Sequence, residues 1–314
     1  MKKTNIILTL FIAVFMILAG CSTESKLEGG SKPEANSGGA ASDKMTIGLS
    51  VSTLNNPFFV TLKDGAEKAA KEAGASLVVV DAQNDTAKQI SGIEDLIQKK
   101  VNLIMINPTD SDAIVTAVKS ANKAGIPVIT VDRAANGGDV VTHIASDNVK
   151  GGKMAGEYIL KTLGGKGNIV ELQGIAGTSA ARDRGKGFHE AVDGKDGVKV
   201  AASQPADFDR AKGLSVMENI LQGNKDIQAV FAHNDEMALG ALQAIQASGK
   251  NIAVVGFDAT DDAIKAVNEG KMAATVAQKP AAIGDAAVKT AVKVIKGEKV
   301  EKFIPVDLEL VTKK

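Results

Sequence analysis

From Met45 onward the chain alternates between short β-branched apolar runs and amphipathic stretches of helical length, and this alternation limits the possible folds more than any other feature. Residues 47–51 and 103–106 are typical apolar runs, and residues 57–73 and 86–99 are typical helical stretches. Continuous apolar strands that alternate with helices are characteristic of a parallel sheet covered on both faces. The sequence therefore predicts an α/β fold of the doubly wound type.

The predicted elements are too many for one small sheet, and the chain is longer than one hydrophobic core usually fills. We predict two lobes, with crossings near 146–148, near Gln278 and near Asp307. The lobes comprise residues 45–146 plus 279–307 and residues 147–278 plus 308–314. The predicted strands are 47–51, 77–80, 103–106, 128–131, 140–145, 169–172, 198–202, 229–232, 252–255, 273–277 and a single last strand at 306–311. The predicted helices are 57–73, 86–99, 111–124, 149–163, 179–192, 209–221, 236–247 and 281–295.

The N-terminus carries a targeting signal. Two lysines precede an uncharged apolar run at 6–20, which is too short for a transmembrane helix and fits a signal peptide. The run ends in Leu18-Ala19-Gly20-Cys21, which resembles the lipobox of bacterial lipoproteins. This resemblance implies cleavage after residue 20 and a lipid anchor on Cys21, the only cysteine of the chain. Residues 22–44 are rich in Ser, Gly, Ala, Glu and Lys, which predicts a flexible tether on the outer face of the cell membrane.

Charge and aromatic content exclude one class of partner. The chain has 37 basic and 37 acidic residues, whereas nucleic-acid binding requires a basic excess on one face. Aromatic residues make up only 3% of the chain, so platforms for stacking bases are scarce. We expect no nucleic-acid partner.

Polar side chains cluster where the predicted strands end, and ligands of open α/β sheets bind at the carboxyl ends of strands. These corners are rich in Asn, Asp, Arg and Gln, which can bind hydroxyl groups, and they hold four of the seven phenylalanines that follow the signal peptide. Aromatic faces combined with a polar rim suit a sugar, which has apolar C–H faces and a ring of hydroxyls. We therefore predict a shared cleft for a polar small molecule.

Each of these residues also has a structural interpretation when it is taken alone. Asn56, Asn234 and Asp258 are placed to cap the helix that follows. Asp132-Arg133 fits a solvated turn equally well, and a lone Phe is more often part of the core. The corners taken together favour the cleft.

Eight stretches resemble the ribose-binding proteins of bacterial ABC importers, which belong to the type I periplasmic-binding-protein superfamily. The similarity runs from about Met45 to the C-terminus. The matching stretches are 52–59 (STLNNPFF), 106–113 (INPTDSDA), 131–133 (VDR), 143–148 (HIASDN), 171–182 (ELQGIAGTSAAR), 203–210 (SQPADFDR), 234–240 (NDEMALG) and 254–258 (VVGFD).

The resemblance implies two Rossmann-like lobes joined by a three-crossing hinge, with D-ribose bound between them by hinge closure. It implies ring stacking on the phenylalanines and hydroxyl binding by the polar residues, where the motif alone decides for Arg184 over Arg182. The implied ligand residues are Asn56, Phe58, Phe59, Asn107, Asp132, Arg133, Arg184, Phe208, Asn234, Phe257, Asp258 and Gln278.

The implied function is delivery of ribose, by a lipid-anchored monomer without cofactor or metal, to an ABC permease with its ATPase. A receptor for another sugar, such as allose, galactose or a related furanose, is the alternative. An enzyme is not expected, because the chain has no HExxH, no GxSxG and no metal-spaced Cys/His set. A sugar-responsive transcription regulator would need a DNA-binding segment where the signal peptide and tether lie.

Overall fold

The structure is a computed structural model that describes residues 45–223 and 226–313. The predicted signal peptide, Cys21, the tether and Lys314 lie outside these residues. Within the described ranges the chain forms twelve strands and nine helices. The strands are β1 (Thr46–Val51), β2 (Ser76–Asp81), β3 (Leu103–Ile106), β4 (Val128–Val131), β5 (Val140–Ser146), β6 (Gly167–Gln173), β7 (Val198–Pro205), β8 (Ala229–Ala232), β9 (Ala253–Asp258), β10 (Ala274–Ala277), β11 (Phe303–Val306) and β12 (Glu309–Thr312).

Most helices begin where the sequence places a capping side chain. Asp85, Asp147 and Thr178 each accept a hydrogen bond from a backbone N–H of the first turn that follows. The helices are α1 (Pro57–Glu72), α2 (Thr86–Gln98), α3 (Val115–Lys123), α4 (Asn148–Thr162), α5 (Ser179–Val192), α6 (Arg210–Gly223), α7 (Asp235–Ala247), α8 (Asp261–Asn268) and α9 (Pro280–Ile295). None of the described helices is both long enough and apolar enough to cross a membrane.

The strands form two six-stranded sheets with the same strand order. The first sheet runs β2-β1-β3-β4-β5-β11 and the second runs β7-β6-β8-β9-β10-β12. All pairs are parallel except β10 with β12, which is antiparallel. We call each sheet with its helices a lobe. The α/β class predicted from the sequence is confirmed.

Each sheet is covered on both faces by helices. In the first lobe α1 and α9 cover one face, and α2 and α3 cover the other. In the second lobe α4 and α5 cover one face, and α6, α7 and α8 cover the other. The central strands β3, β4 and β8 are almost entirely apolar, because both of their faces are buried.

The chain passes between the lobes three times. After β5, helix α4 packs against the second sheet, and after β10, helix α9 packs against the first sheet. The third passage separates β11 in the first sheet from β12 in the second. The single last strand predicted at 306–311 is therefore wrong. Apolar residues alternate without interruption through Ile304, Val306, Leu308 and Leu310, so the pattern does not show that one strand ends and another begins there.

Two helices also differ from the prediction. Helix α3 begins at Val115 rather than at residue 111, because the Asp110 side chain accepts from the N–H groups of Asp112 and Ala113 and holds a turn there. Helix α8 was not predicted. It has eight residues and buries only Ala263, Ala266 and Val267, which is too short an apolar stripe to show a helical period.

One proline lies within a strand. Pro305 is the third residue of β11. Because β11 is an edge strand, the missing N–H is tolerated.

Candidate functional site

The carboxyl ends of strands from both lobes face one cavity, with an empty volume of about 240 Å³ that includes its opening to solvent. All candidate ligand residues except Asn107 and Phe257 line this cavity. Ala180, at the start of α5, is an additional wall residue that was not among the candidate ligand residues. The lining residues are Asn56, Phe58, Phe59, Asp132, Arg133, Ala180, Arg184, Phe208, Asn234, Asp258 and Gln278.

Asp132 and Arg133 follow β4 and are both buried, with 3% of each residue exposed. The solvated turn is therefore excluded. Asp132 has a φ of 62°, a left-handed conformation that turns the chain sharply after the strand. The Arg133 Nε lies 3.8 Å from Asp132 Oδ2, and Arg133 Nη1 donates to the carbonyl of Pro108 at 3.2 Å.

Asn107, at the end of β3, lies behind Asp132 and is fully buried. Its amide donates to Asp132 Oδ2 at 3.0 Å and to the Val131 carbonyl at 3.2 Å. Its side-chain oxygen accepts from the Ser52 N–H at 3.1 Å. In this arrangement Asn107 orients Asp132, and its direct contact with a ligand stays a prediction.

Aromatic rings form two walls of the cavity. Phe58 and Phe59, in the first turn of α1, pack edge to face with their ring centroids 5.2 Å apart. The guanidinium carbon of Arg133 lies 5.1 Å from the ring centroids of both Phe59 and Phe208. Since Phe208 belongs to the second lobe, Arg133 stands between rings from the two lobes. The Phe208 ring fits here because residue 174 is a glycine. A Cβ at Gly174 would lie only 2.0 Å from the ring.

Arg184, on α5, is held from three sides and is 3% exposed. Its Nε donates to Asn148 Oδ1 at 2.8 Å, and its Nη1 donates to the His233 carbonyl at 2.6 Å. The guanidinium lies 3.9 Å from the ring centroid of Phe257. Phe257 therefore packs against the Arg184 guanidinium and does not itself line the cavity. Arg182, by contrast, is exposed, and its guanidinium donates to the Gly177 carbonyl and to the Asn136 side-chain oxygen.

Asp258 ends β9, and its carboxylate points into the cavity rather than capping α8. Its Oδ1 accepts from Gln278 Nε2 at 2.9 Å and lies 3.8 Å from Arg184 Nη1. The N-cap position of α8 is taken by Thr260, so the capping interpretation of Asp258 is wrong.

Asn56 and Asn234 cap helices and line the cavity at the same time. The Asn56 oxygen accepts from the Phe58 N–H at 2.9 Å, and the Asn234 oxygen accepts from the Met237 N–H at 3.0 Å. Both residues also line the cavity, so the two interpretations open in the sequence are compatible.

The cavity holds two carboxyl groups and two guanidinium groups, so opposite charges balance within it when both carboxyl groups are ionised. Burial raises the pKa of Asp132, although Arg133, Arg184 and Asn107 act in the opposite direction. Burial raises the pKa of Asp258 to about 7 and lowers the pKa of Arg133 to about 10. Burial also lowers the pKa of Arg184.

The lobes touch directly beside the cavity. The Ser111 N–H donates to the Gly177 carbonyl at 2.8 Å, and the Ser179 N–H donates to Ser111 Oγ at 3.1 Å. The Ala134 N–H donates to Ser179 Oγ at 2.8 Å. We call these three bonds the interlobe latch. They join backbone and serine groups only, so no ligand is needed to make them.

A second set of buried polar residues supports the site from behind and was missed from the sequence. Glu171 is fully buried on β6 and accepts from His233 Nε2 at 2.9 Å and from the Ser203 hydroxyl. The sequence does not reveal the pairing of Glu171 with His233, because the two residues are far apart in the chain. The described residues hold no group of three or more His, Cys, Asp or Glu side chains arranged for a metal ion.

Comparison with protein families gives a match to the periplasmic binding protein domain over residues 47–299. Among curated proteins, the ribose import binding protein RbsB of Escherichia coli is 61% identical over 271 residues, which is 86% of this chain and 91% of that protein. The ribose import binding protein RbsB of Bacillus subtilis is 54% identical over 313 residues, which is 100% of this chain and 99% of that protein. The matched proteins are import binding proteins and not enzymes.

Solved structures agree in fold. A solute binding protein from Actinobacillus succinogenes with bound D-allose superposes with a TM-score of 0.81 at 32% identity, covering 86% of this chain and 98% of that one. A solute binding protein from Bacillus halodurans with bound myo-inositol gives a TM-score of 0.82 at 36% identity, covering 86% and 94%.

Proposed function

The chain belongs to the periplasmic binding protein domain family, and on that premise we propose that it captures D-ribose between its lobes and delivers it to an ABC permease. The relatives named for ribose import are 54–61% identical over most of the chain, which supports ribose as the ligand.

One observation carries the proposal. Three buried polar atoms of the cavity residues have no hydrogen-bond partner: Asp132 Oδ1, Arg133 Nε and Gln278 Oε1. An unpaired buried polar atom costs roughly 1–3 kcal/mol, so these atoms favour a ligand that pairs with them. Two of them accept and one donates, which matches a molecule with several hydroxyl groups.

The charge balance and the rings narrow the ligand class. Because two carboxyl groups face two guanidiniums, an uncharged ligand leaves every buried charge with its partner. A sugar phosphate would bring two further negative charges into a closed site and is disfavoured. Phe58, Phe59 and Phe208 provide the faces on which an apolar side of a sugar ring can pack.

A different sugar is the second candidate. The structural neighbours with bound D-allose and myo-inositol have the same fold, and a D-allose-binding periplasmic protein of Escherichia coli is 38% identical over 267 residues. Ribose is favoured because the ribose-import relatives are much closer in sequence.

We infer that capture proceeds by hinge closure. The cavity is lined from both lobes, so a bound sugar bridges them and favours the closed arrangement by its higher affinity for that state. The interlobe latch forms in the same arrangement and stabilises it. The closed form then docks on the permease, whose ATPase drives transport, and the chain acts as a monomer.

We further propose that Cys21 carries a lipid anchor and that the protein works at the outer face of the cell membrane. The alignment with the Bacillus subtilis relative spans 100% of the chain and so includes the segment around Cys21, whereas the alignment with the Escherichia coli relative covers 86% of the chain. A Cys21→Ser variant should move from the membrane pellet to the soluble fraction. Retention in the pellet would contradict the anchor.

Isothermal titration with ribose, allose, galactose, myo-inositol and ribose 5-phosphate tests the ligand. We expect ribose to bind most tightly and ribose 5-phosphate to bind at least about a hundredfold more weakly, since its charge is unpaired in the cavity. Tighter binding of allose or galactose would replace ribose as the ligand, and tight binding of the phosphate would overturn the charge argument.

A further inference from the structure

The turn that presents Asp258 to the cavity has an unfavourable backbone conformation. Asp258 has a φ of 117° and Ala259 has a φ of 56°, both in the region that favours glycine. Such conformations are unfavourable for residues other than glycine and persist only where surrounding contacts hold them. The neighbours of this turn therefore decide whether the Asp258 carboxylate faces the ligand.

A fully buried carboxyl group lies behind this turn. Asp235, the first residue of α7, is 0% exposed and does not line the cavity. Its Oδ2 accepts from the Thr260 N–H at 2.8 Å, and its Oδ1 accepts from the Thr275 hydroxyl at 2.7 Å. The nearby Gly256 makes room for it, because a Cβ there would lie 2.2 Å from Asp235 Oδ1.

Thr275, on β10, connects this carboxyl group to the strained turn. Its hydroxyl donates to Asp235 and accepts from the Ala259 N–H at 3.2 Å. The two backbone N–H groups that follow Asp258, those of Ala259 and Thr260, are thus both held by this pair.

We propose that Asp235 and Thr275 are positioning residues that hold the Asp258–Ala259 turn left-handed, so that the Asp258 carboxylate faces the sugar. The consequence for ribose rests on the proposed function, whereas the consequence for the turn does not. Neither residue touches the ligand in this assignment, and their effect on affinity passes through Asp258.

The decisive variant is Thr275→Val, which keeps the size and branching of the side chain but removes the hydroxyl. Thr142→Val is its matched control, because Thr142 is also a buried strand threonine and its hydroxyl has no partner. Titration calorimetry should show ribose affinity reduced about tenfold or more for Thr275→Val and changed less than about twofold for Thr142→Val. Equal affinities for the two variants would overturn the proposal.

Asp235 is tested by rescue. Burial and the neighbouring Asp258 raise the pKa of Asp235 well above its usual range, so an Asn side chain is its closest neutral mimic. Asp235→Ala should weaken ribose binding as much as Thr275→Val does, and Asp235→Asn should restore most of the affinity. If Asp235→Ala binds ribose like the unmodified protein, Asp235 has no positioning role.

A crystal structure of the Thr275→Val variant separates this proposal from the proposed function. We expect the Asp258–Ala259 turn to leave its positive φ values and the Asp258 carboxylate to leave its bond with Gln278. An unchanged turn would overturn the positioning role even if affinity falls. If the unmodified protein fails to bind ribose but the turn relaxes in the variant, the positioning role stands and the ligand assignment falls.

Discussion

The two lobes have the same strand order, yet they hold their halves of the cavity by different chemical means. In the first lobe, neutral amides and hydroxyls lie behind the site. Gln89 is fully buried, donates to the Asn107 carbonyl at 2.8 Å and accepts from the Thr109 N–H at 2.7 Å. Asn107 in turn orients Asp132.

In the second lobe, buried ionisable groups lie in the corresponding place. Burial tends to raise the pKa of Glu171, but its hydrogen bonds with His233 and Ser203 outweigh that effect and lower the pKa to about 2. Asp235 holds the turn that carries Asp258. The same sheet topology can thus support a polar site with ionisable groups or with neutral groups. We expect the stabilising contribution of these groups to depend on pH only in the second lobe.

Removing the Asp132 carboxylate, which faces the cavity from the first lobe, should have the largest effect. We expect Asp132→Ala to weaken ribose binding by about a hundredfold or more, because it leaves Arg133 buried without its carboxylate. Calorimetry measures the loss, and circular dichroism should show an unchanged secondary structure. Asp139→Ala, at an exposed position, is the control. Binding within a few-fold of the unmodified protein would remove Asp132 from the site.

Breaking the neutral support of the first lobe should cost stability without pH dependence. Gln89→Leu leaves the Thr109 N–H and the Asn107 carbonyl unpaired, which should lower the free energy of unfolding by about 2–4 kcal/mol. Urea titrations at several values between pH 5 and pH 8 should give the same loss. A loss that varies across this range would mean that the first lobe is not held by neutral groups alone.

Breaking the ionisable support of the second lobe should cost less and should depend on pH. Because the pKa of Glu171 is lowered on folding, its charge stabilises the fold above about pH 4, and this contribution disappears as the pH falls towards 2. Glu171→Gln should therefore lower the free energy of unfolding by about 1–3 kcal/mol at pH 7. The gap to the unmodified protein should narrow between pH 5 and pH 3, and a constant gap would contradict the lowered pKa.

The contact between the lobes should have the smallest effect. Ser179→Ala removes the acceptor of the Ala134 N–H and so weakens the interlobe latch. We expect ribose affinity to fall by about two- to fivefold with the preference among sugars unchanged, since no ligand contact is lost. Ser215→Ala, a helical serine of the second lobe, is the control. A changed order of sugar preference would show that the latch also shapes the cavity.

The local sequence pattern predicted the fold class and most secondary-structure elements. The strand and helix alternation identified the α/β class and nearly all elements, because buried parallel strands and capped helices leave strong signals in the sequence. It failed at 306–311, where a regular apolar alternation continues while the chain changes sheets, and at α8, whose apolar stripe is too short.

The site was predicted in part. The sequence predicted that polar residues after the strands share one cleft, because the carboxyl ends of parallel strands lie at one edge of a sheet. The supporting contacts were not predicted, because Glu171 is far from His233 in the sequence and Asp235 is far from Thr275. Asn107 and Phe257 show the same limit, because the sequence did not reveal that Asn107 bonds to Asp132 and that Phe257 packs against Arg184. Their contact with a ligand stays a prediction.

The division of the last residues between the two sheets has a consequence during synthesis. β11 completes the edge of the first sheet and β12 that of the second, and only Asp307 and Leu308 separate them. Neither lobe can complete its sheet until residues 303–312 have been added, although the other strands of the first lobe lie early in the chain. The first lobe without the last part of the chain lacks both β11 and helix α9, which covers one face of its sheet. Both lobes are therefore completed at nearly the same time, by the same short segment.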